Sequence, residues 1–269
     1  MAITIVLVWA LRQAGFIDFP DISLATCAKV FPLPIFFGAN LICGLGGTQK
    51  ISLPRFTNTA LRRFSILMTL VGEYLVLRKV PQKAVLISVF AMVGGAVTAA
   101  WTFPLTLNGY TLVLLNDFFT AANIICVRKK VDAKDLSNYE LLFYNALLMV
   151  VPLSVLSWAL GDFQLVLEYQ RWTEPGFLAS LLCSCIMGFM IMHATVLCTA
   201  YNSALTTTIV GCLKNIMTTY VGMYIGGDYV FNLANFVGLN ISVAGSLLYS
   251  YVTFVQKHSH ELIPTTQPK

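Results

Sequence analysis

Residues 203–227 read SALTTTIVGCLKNIMTTYVGMYIGG, and Lys214 is the only charged side chain in that run. A helix that crosses a bilayer core needs roughly 20 predominantly apolar residues, and this run supplies them. A lysine at the centre of such a helix costs roughly 3 kcal/mol or more, so it calls for a cavity or a partner. The spanning reading decides the fold, because comparable runs recur along the whole chain. The protein has 269 residues, 57% hydrophobic and 11% charged, with a mean hydropathy of +0.76. A soluble domain carries about 25% charged residues. So few polar groups cannot cover a soluble surface, and the class is an all-α polytopic membrane protein.

Spanning runs are expected near 31–49, 56–77, 84–104, 108–127, 139–160, 177–199, 204–225 and 231–254. MAITIVLVWAL stands before them as a partial span, too short to cross and without the charged leader of a signal peptide. The chain thus reads as one transmembrane domain, 1–269, with a first half at 1–127, a basic linker at 128–138, a second half at 139–254 and a tail at 255–269. With a cytosolic C-terminus and alternating spans, the cytosolic side holds Arg12, Lys29, Arg78, Lys79, Lys83, Arg128, Lys129, Lys130, Lys134, Lys257 and Lys269. The opposite side holds only Lys50, Arg55 and Arg171, an asymmetry that fixes orientation by the positive-inside rule. Arg62, Arg63 and Lys214 remain, all within spans.

An offset of 150 residues matches Ile66 with Ile216, Thr69 with Thr219, Val71-Gly72 with Val221-Gly222 and Tyr74 with Tyr224. It also matches Val80 with Val230, Val93 with Val243 and Gly95 with Gly245. In the assigned topology the two copies run in opposite directions, the inverted repeat of secondary transporters with a midplane site. The basic loop VRKKVDAKDLSNYE is read as the join between halves.

Three cations inside spans predict an anionic ligand. Arg62 and Arg63 could instead snorkel to the nearer interface. Glu73 and Asp117, the acids placed inside spans, are candidate partners for Lys214. Tyr201, Asn202, Ser203, Thr206, Thr207 and Thr208 precede Lys214, and Asn215 follows it; Phe143-Tyr144-Asn145 lies beyond the linker. Tyrosine and asparagine offer a stacking face with amide donors and acceptors, which suits a base and ribose; the threonines equally suit helix packing. The seven cysteines lie mostly in apolar runs and read as small packing residues. No metal constellation emerges, no cofactor is expected, and nucleic acid is not expected as a partner.

The run from Cys198 to Phe254, with FPLPIFFGAN, LRRFSIL, LLFYNALLMV and NDFFTAAN, resembles nucleotide-sugar transporters of the solute carrier 35 family, subfamily D type, essentially over the whole chain. The resemblance implies a ten-helix fold of the drug/metabolite transporter type, built from two inverted five-helix halves. This chain would supply about nine of those helices, starting within the second. It implies a Golgi or endoplasmic reticulum membrane and exchange of a cytosolic UDP-sugar, such as UDP-glucuronic acid, UDP-N-acetylgalactosamine or UDP-N-acetylglucosamine, for lumenal UMP. Related GDP-mannose carriers use an FYNN-like motif at the base and a GALNK-like motif near ribose and phosphate. Here these read Phe143-Tyr144-Asn145-Ala146 and Gly211-Cys212-Leu213-Lys214-Asn215; the second asparagine is missing and lysine and asparagine are exchanged. FTNTALRRF is about two residues longer than the family spacing.

The expected roles follow. Lys214 binds the diphosphate with Arg62 or Arg63, Tyr144 and Asn145 recognise uridine, and Asn202, Thr207 and Asn215 shape the ribose and sugar end. The partners are the UDP-sugar, UMP and the lipid bilayer, with a homodimer as the candidate assembly. The rival readings are a translocator of triose-phosphate type, a membrane enzyme on lipid-linked sugars, and a non-transporting truncated product. The enzyme would need paired carboxylates or a metal cluster, and Glu73 and Asp117 stand apart.

Overall fold

The computed structural model describes residues 1–15, 24–49, 61–100, 107–133, 136–226 and 233–262. The readings for Lys50, Arg55, Lys134, Lys269 and the FTNTA portion of FTNTALRRF lie outside the described residues. Within them all regular structure is helical: α1 (Ala2–Gln13), α2 (Leu24–Val30), α3 (Leu33–Gln49), α4 (Phe64–Leu77), α5 (Lys83–Ala100) and α6 (Leu107–Asp132), followed by α7 (Asn138–Ala159), α8 (Asp162–Leu167), a 3-10 turn at Gln170–Thr173, α9 (Pro175–Tyr201), α10 (Ala204–Gly226) and α11 (Leu233–Leu262). Four of these contain stretches long and apolar enough to cross a membrane: Thr111–Asp132, Asn138–Ala159, Pro175–Tyr201 and Phe236–Thr253.

Local chemistry sets the helix ends. Pro32 has no amide hydrogen and disfavours helical backbone at Phe31, so α2 stops short of α3 where one run was expected from 31. The helix expected over 108–127 continues to Asp132, where Arg128 and Asp132 pair one turn apart at 2.9 Å. α7 begins with a capping box. The Ser137 hydroxyl accepts from the Glu140 amide at 3.2 Å, and the Glu140 carboxylate accepts from the Ser137 amide at 2.5 Å. α9 starts on Pro175, whose missing amide would have had no helical partner there anyway. The segment between the runs 139–160 and 177–199 folds as α8 and the 3-10 turn. Tyr169 and Trp172 both pack on Phe177, with ring centroids at 5.1 and 5.7 Å, and the Trp172 indole donates to the Val166 carbonyl at 2.6 Å.

The chain groups into two compact units: Met1–Ala39 with Cys126–Ser203, and Asn40–Ile125 with Ala204–Lys269. The core of the first unit gathers Val8, Val30, Leu33, Val127, Leu141, Leu142, Phe143, Tyr144 and Val196. The main core of the second gathers Ile66, Leu70, Val89, Met92, Val93, Leu205, Ile209, Cys212 and Tyr249.

The 150-residue offset appears in the second unit as physical symmetry. A Cβ on Gly95 of α5 would lie 2.5 Å from the Gly238 carbonyl oxygen and 2.9 Å from the Ser242 amide of α11. A Cβ on Gly245 would lie 2.8 Å from the Met92 side chain and 3.1 Å from the Ser88 carbonyl. Gly95 and Gly245, Met92 and Ser242, and Ser88 and Gly238 are each 150 apart, so the two contacts are the same contact exchanged. The Ser242 hydroxyl donates to the Met92 carbonyl at 2.5 Å, joining two mates directly. The late part of α5 meets the early part of α11 and the reverse, so the helices are antiparallel and the local two-fold axis lies perpendicular to them. α4 and α10 are antiparallel in the same way. The Cys212 thiol points to the carbonyl of its mate Arg62 at 3.9 Å, Thr69 pairs with Thr208 at 3.1 Å, and Glu73 reaches Leu205. The repeat is therefore inverted, as its topology predicted.

Gly95→Ala and Gly245→Ala should each lower the thermal midpoint of purified protein, at a cost of about 1–3 kcal/mol from overpacking. Gly94→Ala should leave it unchanged or slightly raised, because nothing lies within 4 Å of a Cβ there.

Candidate functional site

In the second unit, helices α3, α4, α6, α10 and α11 bring polar groups together in an otherwise apolar interior. Arg63, at the N-terminal edge of α4, is 1% exposed. One of its terminal nitrogens donates to the Gly238 carbonyl at 3.5 Å; Nε and the other terminal nitrogen have no partner among the described residues. Arg62 is half-buried, and its carbonyl receives the Ser65 hydroxyl at 2.6 Å. Its guanidinium comes within 3.7 Å of where a Gly44 Cβ would sit, beside the Asn116 amide at 3.0 Å. That amide donates to the side chain and the backbone carbonyl of Asn40, both at 2.7 Å, and Thr120 donates to the same side chain at 2.9 Å. Asp117, 1% exposed, lies within electrostatic reach of Arg62, and one of its oxygens has no hydrogen-bond partner among the described residues. Cys212 is in the field of Arg62, Arg63 and Asp117 together.

Arg63 therefore does not snorkel to solvent but is buried against α11, while Arg62 is half-buried. Asp117, one of two candidate partners for Lys214, stands with Arg62. Glu73, the other, is buried and accepts from the Leu205 amide at the start of α10 at 3.0 Å.

Lys214 is placed differently. α10 buries Leu205, Thr207, Thr208, Ile209, Cys212 and Ile216 and exposes Val210, Lys214, Met217, Thr218 and Val221. At about 100° per residue, Lys214 projects from the face opposite Cys212, so α10 itself separates it from the arginine pair. Lys214 sits about 15 Å from the start of its helix, among apolar neighbours. Thr207 is buried, and Asn215 is half-buried beside the lysine.

In the first unit, Tyr144 is fully buried in α7 and packs edge-on against Phe143 at 5.7 Å. Asn145 next to it is 5% exposed, with its side-chain oxygen unpartnered among the described residues. Asn202 is exposed at the C-terminal end of α9, and its amide nitrogen donates back to the Cys198 carbonyl at 3.2 Å. Of the sequence-selected residues, Arg62 and Arg63 are joined to one cluster, and Tyr144 and Asn145 to another. Sequence reading missed Asn40, Asn116 and Thr120, although NDFFTAAN held the signal: Asn116 and Thr120 are one helical turn apart, on one face.

Known proteins bear on this arrangement. A model described as the Triose-phosphate Transporter family matches residues 1–250. The UDP-sugar transporter UST74c of Drosophila melanogaster is 46% identical over 260 residues, 95% of this chain and 69% of that protein. The human nucleotide sugar transporter SLC35D2 is 45% identical over 254 residues, covering 94% and 75%. The UDP-sugar transporter sqv-7 of Caenorhabditis elegans is 44% identical over 275 residues, covering 100% and 83%. One solved structure, at 11% identity and a TM-score of 0.63 over 93% of this chain and 86% of that one, shares the fold. The chain belongs to the Triose-phosphate Transporter family, as a nucleotide-sugar transporter of the solute carrier 35 subfamily D type and not an enzyme.

Arg63→Met keeps length and apolar bulk while removing the charge. If the two unpartnered nitrogens of the guanidinium serve a ligand, exchange by reconstituted protein should fall at least about tenfold. The thermal midpoint should stay near wild type, because a buried charge exchanged for a hydrophobe is often neutral. A collapse of the midpoint in parallel would mark Arg63 as a structural counter-ion instead.

Proposed function

We propose that this nucleotide-sugar transporter moves UDP-sugars such as UDP-glucuronic acid, UDP-N-acetylgalactosamine or UDP-N-acetylglucosamine from the cytosol into the Golgi or endoplasmic reticulum lumen in exchange for UMP, with its C-terminus cytosolic. The observation that carries the reading is the exposure of Lys214 halfway along α10, flanked by Val210, Met217 and Val221. A lysine at that depth cannot face hydrocarbon without a cost of roughly 3 kcal/mol or more, so it faces a space that water and an anion can enter. The names of its relatives, UDP-sugar and nucleotide sugar transporters, supply the class of anion.

In this reading Lys214 takes a phosphate of the diphosphate, and Arg62 and Arg63 add positive potential. Asn215 and Thr207 on α10, with Asn202, serve the ribose and sugar end. Tyr144 and Asn145 are assigned to the uracil, for which the unpartnered Asn145 oxygen offers an acceptor. Anion binding neutralises the cations, and the neutralised carrier passes between its two open states.

The test is exchange in proteoliposomes. Lys214→Ala should reduce uptake of UDP-sugar against internal UMP by about a hundredfold, and Lys214→Arg should retain much of it. Wild-type uptake by Lys214→Ala would refute the reading. UMP should support exchange better than GMP, CMP or inorganic phosphate. Equal support by phosphate would point to a phosphorylated-metabolite translocator, and no exchange by wild type would point to a non-transporting product.

A further inference from the structure

In the second unit the buried stripe of α6 runs through Val113, Asn116, Asp117, Ala121, Ile124 and Ile125, and Asp117 is its one ionisable group. The three- and four-residue spacing keeps these side chains on one face. A carboxylate in an apolar interior is costly unless a cation compensates it. The transport cycle proposed above gives Asp117 no role.

Two contacts fix what Asp117 faces. A Cβ on Gly72 of α4 would overlap the Ile125 side chain of α6. Nearer the start of both helices, the Arg62 guanidinium and the Asn116 amide border the same point, 3.7 and 3.0 Å from where a Gly44 Cβ would sit. Arg62 to Gly72 and Asn116 to Ile125 are similar steps, about 15 and 14 Å at the helical rise, taken in the same chain direction. Asp117, next to Asn116, thus stands level with the arginine pair, and Cys212 of α10 lies in the field of all three charges.

Two cations and one carboxylate leave a single positive charge in excess. The neighbours do not alter that balance: Asn116 is neutral and bonded to Asn40, and Glu73 is engaged at the Leu205 amide. Lys214 lies on the opposite face of α10, so the cluster acts on an anion there through its field. Across a helix diameter of about 10 Å in a low-dielectric interior, that field is weakly screened. It draws in an anion in proportion to the anion's charge, and the carboxylate subtracts from it.

We propose that Asp117 is a specificity-determining residue, whose carboxylate holds down the potential of Arg62 and Arg63 and so limits how far the carrier favours more highly charged ligands. An exchanger must release every ligand it binds, and an uncompensated arginine pair would retain the most highly charged one. The proposal rests on the reading of Lys214 as the phosphate contact.

The experiment compares the purified full chain as wild type, Asp117→Asn, Asp117→Glu, Arg62→Gln and Asp117→Asn with Arg62→Gln. Affinities for uridine, UMP, UDP and UTP are measured by thermal-shift titration, with pyrophosphate and triphosphate as base-free probes. Relative to wild type, Asp117→Asn should tighten binding by at least about threefold per added phosphate and leave uridine unchanged. Arg62→Gln should weaken binding with the opposite grading, the double variant should return to the wild-type grading, and Asp117→Glu should keep it. A purely structural role for Asp117 would move all four nucleosides and nucleotides alike. An ungraded response, a uridine shift as large as that of UTP, or a double variant graded like Arg62→Gln alone would each overturn the proposal. If Asp117→Asn alone does not fold, the double variant against Arg62→Gln carries the same comparison. Should wild type bind the inorganic anions but no nucleotide, the nucleotide reading fails and the inorganic grading decides Asp117. Binding of none of the probes refutes both.

Discussion

The close antiparallel crossing of α5 and α11 is the contact on which the rest of the second unit depends. Two backbones can approach this closely only where no Cβ intervenes, and the chain places a glycine on each side, Gly95 and Gly245. Apolar side chains gain little from one another when lipid is the alternative, so such fits, together with hydrogen bonds like that from Ser242 to Met92, hold membrane helices together. Because the two glycines are repeat mates, one local geometry is used twice about a two-fold axis. That exchange of contacts is what makes the copies inverted.

Polar groups then follow from where the packing leaves room. Asn40, Asn116 and Thr120 satisfy one another between α3 and α6. Arg62, Arg63 and Asp117 stand near them with hydrogen-bonding capacity left over. A buried polar group without a partner is costly in a low-dielectric interior. Lys214 belongs to a different face of α10 and is set apart from this cluster. The three cations are therefore two features: buried Arg63 with half-buried Arg62 beside Asp117, and an exposed lysine on another face of α10.

Much of this was legible in the chain. The scarcity of charge and the length of the apolar runs forced a helical membrane bundle, since only helices satisfy every backbone group within a single such segment. The offset between Gly95 and Gly245 gave the repeat, and its opposite polarity gave the inversion. The uncharged flanks of Lys214 marked it as the residue to place. Short elements were not legible: α8 has too few residues to show a period, and its neighbouring turn depends on Tyr169 and Trp172 finding Phe177.

The sequence by itself determined the class, the approximate helical runs and the inverted repeat, because hydropathy and spacing are local and additive along the chain; four of the eight runs expected to span contain a stretch of spanning length and apolarity among the described residues. Tertiary structure alone decided what each charge does. Glu73 could have neutralised Lys214 but caps α10, and Arg128 could have been one more loop cation but holds the end of α9. Those outcomes depend on which helix ends meet, and pairings between residues more than seventy positions apart are set by packing rather than by local pattern.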